Sequence, residues 1–217
     1  FRFVGEECRN VMENVALQDM SAFAKMEVSG PGAREWLDSI LANRIPKKMG
    51  RIALCHLLTK LGGVRAEFTV YEWAPGRFYL VSAGAYERHD HDTLYKLLPK
   101  EGSVKLNPIT TRLGVLVLAG PNARKVLQKL TTADLSNEAF PWLSGQAISV
   151  GHASCHVLRV NFVGELGFEF HHPIEQQVAL FDLLMEAGRE FGIKPYGIKA
   201  MSSLSIEKSY RLVPREL

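Results

Sequence analysis

Residues 28–37 read VSGPGAREWL, and residues 118–127 read LAGPNARKVL. Glycine, proline, alanine, arginine and leucine recur in register between the two segments. In each copy an apolar strand pattern comes first, and a glycine then turns the chain. Proline follows where a first helical residue needs no N–H partner, and a helical apolar stripe comes next. The two segments therefore predict the same strand-turn-helix unit twice.

The residues after each predicted helix are also alike, with strand patterns, a glycine turn and a further helix. We predict an α+β fold of two intertwined strand-helix-strand-strand-helix repeats, at about residues 22–100 and 112–190, with helices on one face of a mostly antiparallel sheet. No Pro/Gly/Ser linker separates them, so residues 1–217 are expected to form one unit. The alternative is a chance likeness between two G-P-x-A-R turns.

Composition narrows the class of protein. The 217 residues are 47% apolar and carry a formal net charge of +3, which argues against a disordered chain or a nucleic-acid footprint. No apolar run approaches the roughly 18 residues that a membrane helix needs. Cys8, Cys55 and Cys155 form no C-x-x-C pair and predict reduced, buried thiols, hence the cytoplasm or, in a eukaryote, the mitochondrial matrix. Because the chain begins at Phe1 without methionine, we expect a piece of a longer protein.

Two histidine-containing motifs invite a metal interpretation. The His-Asp-His-Asp run at residues 89–92 lies in a predicted helix, where neighbouring side chains point in different directions, so a solvated helix start is expected and no metal site. His171 and His172 are expected to end a strand. The signatures of triad hydrolases, P-loops and dinucleotide-binding turns do not occur.

Two acidic residues are placed differently from the others. Glu67 lies on the predicted strand after a Gly-Gly turn, with apolar neighbours on both sides. Glu165 lies between Gly164 and Leu166, in a turn whose glycines let backbone approach a ligand closely. From the pattern alone, each carboxylate is either an exposed acid or an anchor for a ligand.

Several motifs spaced along the chain occur together in a characteristic order. They are NVALQDMS (residues 14–21), Gly50-Arg51, Leu57-Leu58 with Gly62-Gly63, AEFTV (residues 66–70), Gly120-Pro121 and VGELGFE (residues 163–169). Together they resemble the aminomethyltransferase family of the glycine-cleavage T-protein type. The sequences of these motifs are most similar to the folate-binding C-terminal part of dimethylglycine and sarcosine dehydrogenases. The resemblance runs from Gly5 to Leu217, and a C-terminal β-barrel domain that family members carry is expected to be absent from this chain.

The resemblance implies roles for both acids. Glu67 matches the catalytic carboxylate of the family, which is aspartate in the T-proteins. Glu165 matches the glutamate that hydrogen-bonds the pterin ring of tetrahydrofolate. A pterin presents an amino and N–H edge, which a fixed carboxylate can accept in two bonds.

The resemblance also implies a cofactor-binding place for two further residues. Phe162 stands where the family usually has tyrosine. Lys199 lies on a helix that in the family carries arginines and an aspartate, and an arginine there helps to hold folate. In this sequence Lys199, Met201, Ser202 and Ser205 occupy those places. Lysine lacks the planar fork of arginine.

The function implied by the resemblance is tetrahydrofolate-dependent transfer of a one-carbon unit. An iminium or formaldehyde equivalent from a methylated glycine would be captured as 5,10-methylene-tetrahydrofolate. A flavin-dependent oxidoreductase domain or subunit is the expected partner, with no nucleic acid and no membrane involved. Two alternatives stay open: a non-catalytic folate-binding or scaffolding module, and a lipoyl-protein-dependent T-protein.

Overall fold

The structure is a computed structural model that describes residues 2–213. Its contacts divide the chain into two compact units. Gly114–Arg211, together with the segment that ends at Ser21, forms the first unit, and Ala22–Leu113 forms most of the second. The chain thus begins in the first unit, builds the second, and then returns to complete the first.

The helices and strands alternate along the described residues. The helices are α1 (Arg2–Glu13), α2 (Ala33–Ile40), α3 (Glu87–Lys96), α4 (Ala123–Gln128), α5 (Gln177–Gly188) and α6 (Ile198–Glu207). The strands are β1 (Ala16–Asp19), β2 (Ala24–Ser29), β3 (Ile52–Leu58), β4 (Val64–Ala74), β5 (Arg77–Ser82), β6 (Lys105–Pro108), β7 (Leu113–Ala119), β8 (Gly145–Val150), β9 (Ala153–Leu158), β10 (Gly167–Pro173) and β11 (Lys194–Pro195).

The second unit is a five-stranded sheet covered by α2 and α3. The strand order is β3-β4-β5-β2-β6, and every neighbouring pair is antiparallel. Alternate strand residues such as Phe68 and Leu80 pack against Trp36 and Leu37 of α2 and Leu94 of α3 in one apolar cluster. This two-residue alternation leaves the opposite face of the sheet to the polar side chains of β3, β4 and β5.

The first unit is a six-stranded sheet in the order β11-β1-β7-β10-β9-β8. Leu17 and Leu118 share one face with an apolar cluster that includes residues of α4 and α5. Ala16 and Ala119 belong to a separate cluster with residues of α1 and α6. Because adjacent strand residues point to opposite faces, α1 and α6 cover the other side of this sheet near β1.

The structure confirms the α+β class and shows how the repeats are intertwined. Strands β8-β9-β10-β7 follow the same spatial order as β3-β4-β5-β2. Strand β1 precedes β2 in the chain but pairs with β7, whereas β6 precedes β7 but pairs with β2. The sequence pattern did not predict β3, which makes three strands between the helices of each repeat, and it did not predict α1. Helix α6 agrees with the helix that the family resemblance implies.

The two glycine turns that carry the internal echo share one geometry. Gly30 and Gly120 have φ values of 116° and 129°. In each turn the amide three residues later donates to the glycine carbonyl, at 3.1 Å from Ala33 and 3.0 Å from Ala123. A Cβ built on Gly30 would lie 2.3 Å from the carbonyl oxygen of Ser103. Only glycine combines this backbone conformation with so close an approach.

All three cysteines are buried, and none is bonded to another. Burial raises the pKa of the Cys55 thiol to about 11 and that of Cys155 to about 12, so both are protonated at neutral pH and act as small apolar side chains. Within the described residues, no helix has both the length and the apolar character that a membrane crossing needs.

Replacing Gly30 with alanine puts a side chain into a positive-φ backbone and against the Ser103 carbonyl. We expect the free energy of unfolding to fall by about 3 kcal/mol, because backbone strain and overpacking add. Gly76→Ala is the matched control: Gly76 has φ +67° and open space around it, so its loss should be about 1 kcal/mol. Urea unfolding of both variants measures the difference. Equal losses would mean that the close approach is not a constraint.

Candidate functional site

Glu67 lies on a hairpin whose register is set by an irregularity. Strands β3 and β4 are joined by a turn in which Gly62 has φ 83°. The pairing shifts by one residue between Leu57 and Leu58. Beyond this bulge Ala66 and Phe68 face the apolar cluster, and Glu67 therefore points to the opposite face of the sheet.

His56 of β3 stands directly opposite Glu67 of β4. Its Nε2 lies 2.8 Å from Oε2 of Glu67, the distance at which a ring N–H donates to a carboxylate. The Glu67 side chain is 15% exposed and that of His56 is 28% exposed. The sequence pattern did not predict strand β3, and so it could not place His56 opposite Glu67.

The face of the sheet that carries Glu67 also buries other polar groups. Lys25 of β2 is fully buried and donates from Nζ to the carbonyl of Phe23 at 2.9 Å. It stands opposite Val81, which in turn stands opposite Thr69 of β4. Burial raises the pKa of the Tyr71 hydroxyl on the same face to about 12. Glu67 thus lies on a sheet face that buries polar groups, and only 15% of its side chain is exposed.

Glu165 lies in the loop between β9 and β10, which Asn161 organises. The Asn161 side chain donates to the Glu165 carbonyl at 2.7 Å and accepts from the amides of Val163 and Gly164 at 2.8 and 3.0 Å. Gly164 supplies a positive φ of 76° at the tightest point. Sequence analysis missed Asn161, although asparagine ahead of a glycine is a typical start of such a turn.

Two further contacts fix this loop within the first unit. Val163 is buried in the cluster formed with α1 and α6. The amide of Gly120, the second glycine of the internal echo, donates to the carbonyl of Leu166 at 2.8 Å. The glycine turn that repeats in the sequence therefore also holds the segment that presents Glu165.

Lys208, just after α6, is the cation closest to Glu165 among the ion pairs of the described residues. Its Nζ lies 3.6 Å from Oε1 of Glu165, with the two side chains 42% and 25% exposed. The lysine stem crosses Gly164, so that a Cβ at Gly164 would lie 2.4 Å from its Cγ. Sequence analysis missed Lys208, because nothing local in the sequence links α6 to this loop.

Helix α6 also carries the other residues that the resemblance singled out. Lys199 is exposed in its first turn, whereas Met201 is buried in the cluster with α1. The hydroxyl of Ser205 is buried and donates to the Ser202 carbonyl at 3.0 Å. The structure places Lys199, Glu165 and the half-buried Phe162 in the first unit, and Glu67 in the second.

The paired histidines lie near the end of a strand, as the sequence predicted, but they are buried. His171 and His172 lie inside β10 and both are buried. His171 stands opposite His156 of β9, and its Nε2 lies 3.2 Å from Oε2 of the buried Glu169. The cause is the central position of β10, which has neighbouring strands on both sides.

The His-Asp-His-Asp run falls in the first turns of α3, as expected. Its Asp90 is buried and not solvated, and lies 3.0 Å from Nδ1 of His89. Across residues 2–213, no group of three or more His, Cys, Asp or Glu side chains is arranged to hold a metal ion.

A family model described as the GCVT N-terminal domain matches residues 1–217. The chain belongs to this family. It is 42% identical over 212 residues to human mitochondrial dimethylglycine dehydrogenase, and 33% identical over 225 residues to mouse mitochondrial sarcosine dehydrogenase. These alignments cover 97% and 96% of the chain but only 24% of each relative, so the chain spans about a quarter of their length.

A solved structure supports the same family membership. The fold matches the crystal structure of glycine cleavage system aminomethyltransferase T from Bartonella henselae with a TM-score of 0.83 and 25% identity. The match covers 96% of this chain and 55% of that one. The expected resemblance to GCVT aminomethyltransferases and to dimethylglycine and sarcosine dehydrogenases is therefore confirmed.

The half-buried His156 and the buried His172 are expected to make the stability of this GCVT domain depend on pH. Burial lowers the pKa of His156, helped by the nearby His171, and burial also lowers the pKa of His172. In the unfolded chain both imidazoles have a pKa of about 6.5, so the unfolded state binds protons first as the pH falls. The two histidines therefore contribute their full share of the free energy of unfolding above about pH 6.5, and this contribution is lost as the pH falls below that value.

We expect the free energy of unfolding to decline from about pH 7.5 to about pH 5.5, with a slope of at most about 1.4 kcal/mol per pH unit for each histidine. Urea unfolding across this range gives the slope. His172→Gln should flatten it, whereas His152→Gln, at an exposed position, should leave it unchanged. The assignment is wrong if both variants keep the wild-type slope.

Proposed function

We propose that this GCVT domain binds tetrahydrofolate and transfers a one-carbon unit to it, giving 5,10-methylene-tetrahydrofolate. The donor class is an iminium or formaldehyde equivalent derived from a methylated glycine. Tetrahydrofolate supplies the amines that take up the carbon, and the residues of this chain bind and orient it. Membership of a family that includes an aminomethyltransferase and two glycine-derivative dehydrogenases supports the proposal.

The observation that carries the proposal is the state of the Glu165 carboxylate. The Asn161 turn fixes its backbone, yet no donor among residues 2–213 makes a hydrogen bond to its side-chain oxygens. A partly exposed carboxylate with unused acceptors fits the amino and N–H edge of a pterin, which offers two adjacent donors. In the proposal Glu165 accepts both bonds and so orients the ring.

Glu67 is the proposed catalytic acid. Its position on a strand, with His56 at 2.8 Å, restricts its rotamers more than a loop position would. A carboxylate held in this way can orient an amine and accept or return its proton while the carbon is captured. His56 donates to the carboxylate and so restricts its orientation.

The remaining residues and partners of the proposal come from the family resemblance. Phe162 would pack against the ring of the cofactor, and the exposed Lys199 would supply positive charge for the anionic end of folate. A flavin-dependent oxidoreductase, as another part of the same polypeptide or as a subunit, would produce the one-carbon unit. The relatives from human and mouse are mitochondrial by name, and we propose the mitochondrial matrix or the cytoplasm for this protein.

Glu165→Ala should weaken tetrahydrofolate binding by about ten- to hundred-fold, because a hydrogen bond to a charged group contributes about 1.5–3 kcal/mol. Titration calorimetry on the two proteins measures the change. Glu175→Ala removes an exposed acid from the same unit and should leave the affinity as it is. Equal affinities in wild type and Glu165→Ala would remove Glu165 from the site.

Glu67→Gln keeps the size of the side chain and one acceptor but removes charge and basicity. Turnover to methylene-tetrahydrofolate should fall by about 10²–10⁴, the usual contribution of a positioned acid or base, while tetrahydrofolate affinity changes much less. The assay supplies tetrahydrofolate, a formaldehyde or iminium donor and the flavoprotein partner, and subtracts the uncatalysed formaldehyde reaction.

Glu35→Gln, at an exposed position of the same unit, is the matched control and should keep full turnover. If Glu67→Gln also keeps full turnover, the catalytic assignment fails. If wild type binds tetrahydrofolate but gives no turnover above background, the non-catalytic folate-binding module replaces the enzyme.

A further inference from the structure

Lys208 is held in one place by backbone geometry. Its methylene stem lies across Gly164, where a Cβ would meet Cγ at 2.4 Å and both Cδ and Cε at 2.8 Å. Gly164 has no side chain to exclude the stem, and its φ is positive at 76°. The stem is thus packed on the loop backbone, while the ammonium group extends beyond it toward Glu165.

The ammonium of Lys208 and the carboxylate of Glu165 lie side by side without forming a hydrogen bond. At 3.6 Å, Nζ of Lys208 and Oε1 of Glu165 attract electrostatically but lie outside hydrogen-bond length. Among the described residues, the Lys208 ammonium therefore keeps its donors and the Glu165 carboxylate keeps its acceptors. The pair presents an acceptor group next to a donor group at a partly exposed position of the first unit.

The pyrimidine edge of a pterin has the complementary order. It carries the 2-amino donor, the N3–H donor and the 4-oxo acceptor in a row. Resting on the proposed function, we propose that Lys208 is a specificity-determining residue that donates to the 4-oxo group while Glu165 accepts from the two neighbouring donors. The ligand class that the pair selects is then a 2-amino-4-oxo heterocycle.

The proposed arrangement predicts weaker binding of a ligand that lacks the 4-oxo group. A 4-amino analogue turns a donor toward the Lys208 ammonium, and its N3 carries no hydrogen for Glu165. Sites built to bond one polar group reject the analogue that lacks it, because their own groups are left unpaired. Lys208 and Glu165 should therefore both contribute to rejecting the analogue, and the two contributions can be separated by mutation.

The test measures dissociation constants of folic acid and its 4-amino analogue on the intact protein, at a near-neutral pH where the analogue's ring is uncharged and folic acid keeps its N3–H. The variants are Lys208→Met, Lys208→Arg and, as a matched control, Lys125→Met, which removes an exposed lysine elsewhere in the same unit. Lys208→Met should weaken the binding of folic acid by about ten- to hundred-fold and the binding of the analogue by much less. Lys208→Arg should retain most of the preference for folic acid over the analogue, and Lys125→Met should retain all of it.

A purely structural role for Lys208, such as holding the Glu165 loop, would weaken both ligands equally and would overturn the inference. The inference also fails if Lys208→Met changes neither affinity while Glu165→Ala still weakens folate. That result would leave the proposed function standing. If wild type binds neither ligand nor tetrahydrofolate, the proposed function itself fails, and the inference fails with it. Thermal unfolding of each variant confirms that the compared proteins are folded.

Discussion

The internal echo depends on a single constraint, the close approach of another backbone segment to a glycine. A Cβ on Gly120 would lie 2.7 Å from the carbonyl of Asn14, and one on Gly30 would lie 2.3 Å from that of Ser103. Backbone atoms cannot move aside as a flexible side chain can, so no other residue fits without shifting the fold. In the first unit the same turn bonds to Leu166, and the loop that bears Glu165 depends on it.

Local signals explain which parts of the fold could be predicted from sequence. The glycine turns, the apolar alternation around Glu67 and the glycine-bounded loop of Glu165 each depend on a few adjacent residues, and the structure has all three. The pairing of β1 with β7 and of β6 with β2 could not be predicted in this way. It depends on which sheet each short strand joins, and no local pattern encodes that choice.

The contacts around the two acids were unpredictable for a related reason. The bulge at Leu57 and Leu58 decides that Glu67 faces His56, because a shift of one residue would turn every side chain of the strand to the opposite face. Lys208 reaches Glu165 only because α6 packs beside the loop through an apolar cluster. In both cases the partner is chosen by tertiary packing. The roles of Glu67, Glu165, Phe162 and Lys199 remain predictions.

The departures of α6 from the family pattern have a physical explanation in this packing. Met201 is buried among apolar side chains, where an unpaired charge would be costly, and the buried Ser205 hydroxyl bonds to a carbonyl of its own helix. Neither Met201 nor Ser205 therefore supplies charge to a ligand. Positive charge on this helix and just beyond it lies instead at the exposed Lys199 and at Lys208, whose ammonium forms an ion pair with Glu165.

The two candidate carboxylates are held by different means, and the difference suits different tasks. Glu67 is on a strand, and its cross-strand partner already donates a hydrogen bond to it, so its orientation is fixed before any ligand arrives. Glu165 is on a loop whose backbone is fixed by Asn161, but within residues 2–213 its carboxylate has a counter-charge and no hydrogen-bond donor. Preorganisation favours a group that handles protons, whereas unused acceptors favour a group that recognises a ligand's donors. The geometry thus separates a position suited to chemistry from one suited to recognition.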